Sequence, residues 1–114
     1  NKRDLDRALA FALGLAMDDS RRHRQLPRIY RSGVRYAREP AGVENWPLPS
    51  ETLRPGWGAC ADLALWAAAA LRLRGIKARV VVKRTGPRLW HAVVRLPSGK
   101  ILDPSKRLGM RGRG

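Results

Sequence analysis

Cysteine is almost missing from this chain, and a single residue, Cys60, excludes an internal disulfide and any zinc site built on several thiolates. His23 and His91 are the only imidazoles, so neither a structural metal nor a cofactor is expected. Acidic residues are also few, 9 against 24 basic ones, and the resulting net charge of +15 suggests an acidic partner such as nucleic acid, an anionic lipid or polymer, or a negatively charged assembly. That excess is mostly arginine spread from Arg3 to Arg113, as codon bias in a high-GC genome also produces. Sequence-specific nucleic-acid recognition is disfavoured, because there is no helix-turn-helix or zinc-finger pattern and the arginines are not interleaved with stacking aromatics. No apolar run is long enough to span a bilayer. Residues 5–17 are amphipathic and end in no small-residue cleavage site, so no signal peptide is expected. A length of 114 residues suits one domain, placed at 1–110, followed by a basic tail at 111–114 expected to be mobile.

What the chain does have is concentrated in residues 56–79, GWGACADLALWAAAALRLRGIKAR. Residues 61–71 are almost continuously Ala and Leu, the strongest helix formers, and Gly75 supplies a left-handed terminator. A helix apolar on nearly every side must be covered on nearly every side, which predicts the central helix of the domain. Pro55, Gly56 and Gly58 break any earlier helix and turn the chain into Cys60. The sulfur is thereby placed at a helix start, where free N–H groups and the helix dipole favour a thiolate.

Upstream, Asp4 or Asp6 is expected to cap a first helix running to about Met17, with Leu5, Ala8, Leu9, Ala12 and Ala16 on one face. Asp18, Asp19 and Ser20 read as its end and as the cap of a second basic helical stretch over 21–25, with a solvated His23. A short turn follows Pro27 up to Ser32 and Gly33. Residues 34–55 carry four prolines and read as a long ordered loop, with Tyr36, Glu39, Glu44 and Trp46 as contact candidates and Trp46 as its anchor on the core.

Downstream, residues 78–82 and 89–96 read as strands separated by a turn at Thr85, Gly86 and Pro87. Pro97, Ser98 and Gly99 make a tight hairpin turn into a third strand at 100–103. Pairing across that turn puts His91 opposite or diagonal to Asp103. A cysteine at a helix start, a histidine and an aspartate on neighbouring strands make up an activated nucleophile: Cys60 attacks a carbonyl carbon, His91 moves the proton and Asp103 orients the ring. The backbone N–H of Cys60 is the expected oxyanion donor, with Trp46 or Trp57 as the second.

The motifs GACADLA (58–64), LRLRGIKARVVV (71–82), WHAVV (90–94) and LDPS (102–105) together resemble the bacterial transglutaminase-like branch of the papain-type cysteine enzymes. The resemblance covers roughly the last half of the chain. It implies an α+β fold, a transglutaminase-like (papain-like) core in which a central helix opening with the cysteine packs on a small antiparallel sheet, preceded by helices and a long loop. It also carries over Cys60, His91 and Asp103 as the triad, and matches Asp62, read here as a first-turn acid that supports the helix N-terminus and holds a nearby arginine. Calcium-binding acidic clusters and the extra domains of eukaryotic transglutaminases have no counterpart, which turns the expectation from protein crosslinking toward an amide or peptide hydrolase acting through a thioester. Its expected substrate is a protein or peptide amide, acidic because the surroundings are basic. The alternative is a non-catalytic basic module of a larger assembly, such as a virion component or a non-specific polyanion binder. The pattern through DPSKRLGM (103–110) is similar to transglutaminase-like proteins encoded among bacteriophage virion genes, which implies a bacterial cytoplasmic or virion location.

Overall fold

The structure, a computed structural model, describes residues 2–38, 46–87 and 89–111. Glu39 and Glu44 of the expected loop, and residues 112–114 of the expected tail, lie outside the described residues.

The chain begins with one helix, α1 (Lys2–Arg22), where the sequence suggested two. Asp18, Asp19 and Ser20 do not break it. Ser20 returns its hydroxyl to the Ala16 carbonyl at 2.9 Å, and the Asp19 carboxylate points inward, accepting from the Ser50 hydroxyl at 2.7 Å and the Ser50 N–H at 2.9 Å. Asp19, a residue type that favours caps when solvated, is thus satisfied inside a helix by a partner 31 positions away. The buried face runs through Leu9, Leu13 and Ala16; Leu13 joins it and Ala8 is exposed, correcting the expected stripe. His23 is half-exposed as expected but not free, its Nδ1 lying 2.9 Å from the Asp19 carbonyl oxygen.

Beyond a single 3-10 turn at Ile29–Arg31, the expected loop holds regular structure. A short strand β1 (Arg35–Tyr36) precedes the one-turn helix α2 (Pro49–Leu53) and a second short strand, β2 (Trp57–Gly58), which pairs with β1 in parallel, Arg35 against Trp57 and Tyr36 against Gly58. The prolines are compatible with this because Pro49 occupies the first helical position, where a missing N–H leaves nothing unpaired. Glu51 then accepts from the Leu48 N–H at 2.8 Å and closes the helix start.

The central helix α3 (Cys60–Leu73) is buried without interruption from Asp62 to Ala69 and ends at Gly75, whose φ of +88° only glycine adopts readily. It packs between α1 and an antiparallel sheet ordered β3 (Arg79–Gly86), β4 (Leu89–Arg95) and β5 (Ile101–Leu102). Thr85 and Gly86 belong to β3 rather than to a turn, since the β3–β4 pairing continues to Gly86 against Leu89 past an irregularity. The chain reverses between β4 and β5 through Pro97, Ser98 and Gly99, the last at φ +92° with its N–H on the Leu96 carbonyl. After β5 the chain leaves the sheet at Asp103 and forms α4 (Pro104–Arg107), a turn of helix signalled by Asp-Pro but not anticipated. Among the described residues no helix is long and apolar enough to cross a membrane.

Candidate active site

Three local devices bring Cys60 to one point. Gly56, at φ +83°, turns the chain, and Gly58 lets it pass so close to α2 that a Cβ there would lie 2.9 Å from Thr52 Cγ2. Asp62 then accepts the Ala59 N–H at 3.0 Å, tying the residue before the cysteine to the first turn of α3. Asp62 is buried, so this carboxylate serves the backbone that aims Cys60. The β1–β2 ladder sets Tyr36 beside the same turn, and the far edge of β1 is held by the Tyr36 N–H on the Leu108 carbonyl at 2.9 Å.

His91 and Asp103 meet as the hairpin register requires. Val94 pairs with Leu102 and Arg95 with Ile101, which sets Asp103 diagonal to His91, and the imidazole Nε2 lies 2.8 Å from Asp103 Oδ2. A carboxylate only accepts, so Nε2 carries the proton and Nδ1 is left as an acceptor. His91 is 2% exposed, and its Nδ1 is buried with no hydrogen-bond partner among the described residues. The other carboxylate oxygen of Asp103 accepts the Lys106 N–H at 3.2 Å, so the same side chain caps α4. Arg107 lies 3.9 Å over the ring of Tyr30 and pins that helix from outside.

The link between the two halves is Ala92, the residue after His91. Its backbone N–H favours the Cys60 thiolate, as do the N–H groups of Ala61 and of Cys60 itself. These amides pull the thiol pKa down, but burial is the larger effect and pushes it above its ordinary value, with the Asp62 charge adding to the rise. The helix start therefore does not by itself produce a resting thiolate, which corrects the expectation drawn from the dipole: desolvation of a buried sulfur outweighs three amides. Tyr36 is likewise raised, chiefly by burial and next by the Cys60 charge, which places its phenol in the same electrostatic neighbourhood.

The sign of this shift predicts a pH dependence. The folded chain holds the Cys60 proton more tightly than the unfolded chain, so the stabilisation is complete below the unfolded thiol value of about 8.5 and is lost as pH climbs toward the folded value. Urea denaturation should show wild type losing more stability than Cys60→Ala between about pH 7 and about pH 10. Iodoacetamide should label Cys60 slowly near neutrality and faster only in the alkaline range. Rapid labelling in mild acid would show a preformed thiolate and contradict the raised pKa.

Of the expected oxyanion donors, the Cys60 N–H is at the sulfur, whereas Trp46 is half-buried and packs against the core and Trp57 leaves its indole 42% exposed. Tyr36 was among the loop candidates, but the parallel ladder that brings it to Cys60 was not foreseen. Among the described residues no three of His, Cys, Asp and Glu converge as metal ligands.

Compared with known proteins, residues 7–100 match the family model of the transglutaminase-like superfamily. The match begins in α1, well before the motifs in the second half of the chain, and stops short of Asp103. No curated protein and no solved structure matches.

Proposed function

The chain belongs to the transglutaminase-like superfamily, and on that premise we propose that it is a cysteine-dependent acyl-transfer enzyme, an amide or peptide hydrolase working through a thioester on Cys60. The observation that carries this reading is the His91–Asp103 pair, which commits Nε2 and leaves a buried Nδ1 with no hydrogen-bond partner among the described residues, one residue from Ala92, whose backbone N–H favours the Cys60 thiolate.

In the proposed cycle the neutral thiol passes its proton to His91 Nδ1 as sulfur attacks the carbonyl carbon. Asp103 stabilises the imidazolium, and the Cys60 N–H faces the oxyanion. Collapse of the intermediate breaks the C–N bond, and the leaving amine takes the proton from Nδ1. Water then attacks the thioester while Nδ1 accepts one of its protons; the acid departs and the proton returns to sulfur. A thiol held neutral by burial favours this route, in which the proton moves as the bond forms, over attack by a standing ion pair.

Intact-protein mass spectrometry after acid quenching with an activated ester, such as a p-nitrophenyl acyl ester, tests the reading. The expected result is an acyl adduct on Cys60 that decays as product appears and is absent from Cys60→Ala. If no adduct or turnover is found while polyanion binding persists in Cys60→Ala, the chain acts as a basic binding scaffold instead.

A further inference from the structure

We propose that the open edge of β3 is a docking site for an extended, acidic segment of a partner polypeptide, taken up as a fourth strand of the sheet. A groove of about 810 Å³ lies between α1 and the sheet, and it contains none of Cys60, His91 or Asp103. On β4 the groove meets only Val93 and Arg95, alternate residues on one face. On β3 it meets five in succession, Arg79, Val80, Val81, Val82 and Lys83. Side chains along a strand alternate between faces, so an unbroken run means that the groove follows the edge of β3 as well as its face.

That edge is open. The sheet order makes β3 an outer strand, and among the described residues none of these five makes a main-chain hydrogen bond beyond the ladder to β4. In an antiparallel ladder every second residue turns its N–H and C=O away from the partner strand, so the groove offers the main-chain groups that strand addition uses.

The side chains specify the occupant. Lys2 and Arg72 join Arg79, Lys83 and Arg95 in lining the groove, with Asp6 as the single acid among the described lining residues. Arg79 and Arg95 are direct cross-strand partners, both exposed. Like charges held opposite each other weaken a sheet, and an anionic occupant relieves that repulsion. The buried Leu9, Leu13 and Val93 and the partly exposed Val81 also line the groove, and they give it an aliphatic floor suited to the apolar side chains of the same segment. Among the described residues no aromatic side chain lines it, so nothing there is offered for base stacking, which favours a peptide over single-stranded nucleic acid. A second copy of this chain would bring an equally basic edge and be repelled.

The proposal is independent of the chemistry at Cys60. Fluorescence anisotropy with a fluorescein-labelled peptide of alternating Glu and Val tests it, alongside the same peptide N-methylated at alternate residues and an oligothymidylate of similar length. Wild type should bind the first peptide, and N-methylation should weaken binding by about tenfold or more, since it removes donors from the new ladder. Arg79→Glu with Arg95→Glu should weaken it similarly, whereas Arg24→Glu with Arg54→Glu, equal in charge but outside the groove, should have little effect. The single change Arg79→Glu should raise the melting temperature by pairing with Arg95 and still weaken the peptide, a split that a guard against self-pairing would not give. Absence of peptide binding, indifference to N-methylation, equal losses in the two double variants, or tighter groove-dependent binding of the oligothymidylate would each overturn the proposal. The N-methylation arm needs no variant, so it holds even where a substitution disturbs folding.

Discussion

Asparagine at position 103 is expected to lower turnover by about 10³-fold or more while leaving the fold in place. The reason lies in how the two carboxylate oxygens are used. One accepts the Lys106 N–H that caps α4, and the other accepts His91 Nε2–H. In the Asp103→Asn protein the amide oxygen must stay on Lys106 to keep the cap, so the NH₂ group is turned toward His91 and donates to Nε2. The imidazole proton is then forced onto Nδ1, the nitrogen that accepts the thiol proton in the proposed cycle. Alanine at position 103 removes the orienting partner without imposing the wrong tautomer, so its loss should be smaller, about 10²-fold. His91→Ala should be the most damaging of the three at about 10⁴-fold, because it removes the base of the proposed cycle. Steady-state rates on a p-nitrophenyl acyl ester, with far-UV circular dichroism on each variant, check this order. Asparagine no worse than alanine would remove the tautomer argument, and full activity in His91→Ala would remove the base.

Trp66→Ala is expected to cost about 3–5 kcal/mol, a large share of the roughly 5–15 kcal/mol that holds a domain of this size together. Trp66 sits in the middle of α3 at 1% exposure, among residues buried on both sides of it in sequence, and the alanines around it have no side chain long enough to close the space. The melting temperature should fall by about 15 °C or more, read by thermal denaturation. Trp57, 42% exposed on a two-residue strand, is the internal control: its replacement by alanine should change stability by less than about 1 kcal/mol. Similar losses at the two positions would mean that α3 is not the centre of the core.

Some of this architecture is local and was therefore legible in the order of residues. The Ala and Leu run with Gly75 behind it specifies α3, because helix propensity and a left-handed terminator act over one or two turns. The Pro97-Ser98-Gly99 turn specifies a reversal, and the reversal alone carries Asp103 to His91, since register propagates from a tight turn with a period of two residues. Long-range partners decided what was misread. Asp19 stays inside α1 because Ser50, far along the chain, satisfies it. The four prolines suggested an irregular loop, yet β1 and β2 pair across more than twenty residues because Gly58 fits against Thr52.

The amino-acid order by itself determined which three side chains form the candidate triad, the helix that starts at Cys60 and the hairpin that joins the other two. Only the tertiary structure decided the state of the thiol. The Cys60 and Ala61 N–H groups at the start of α3 are local and lower the pKa; burial beneath neighbouring segments is a global effect, and here it is the larger. The open, basic edge of β3 likewise exists only once the strand order makes it the outer strand, because an unpaired main-chain group is defined by what fails to lie beside it.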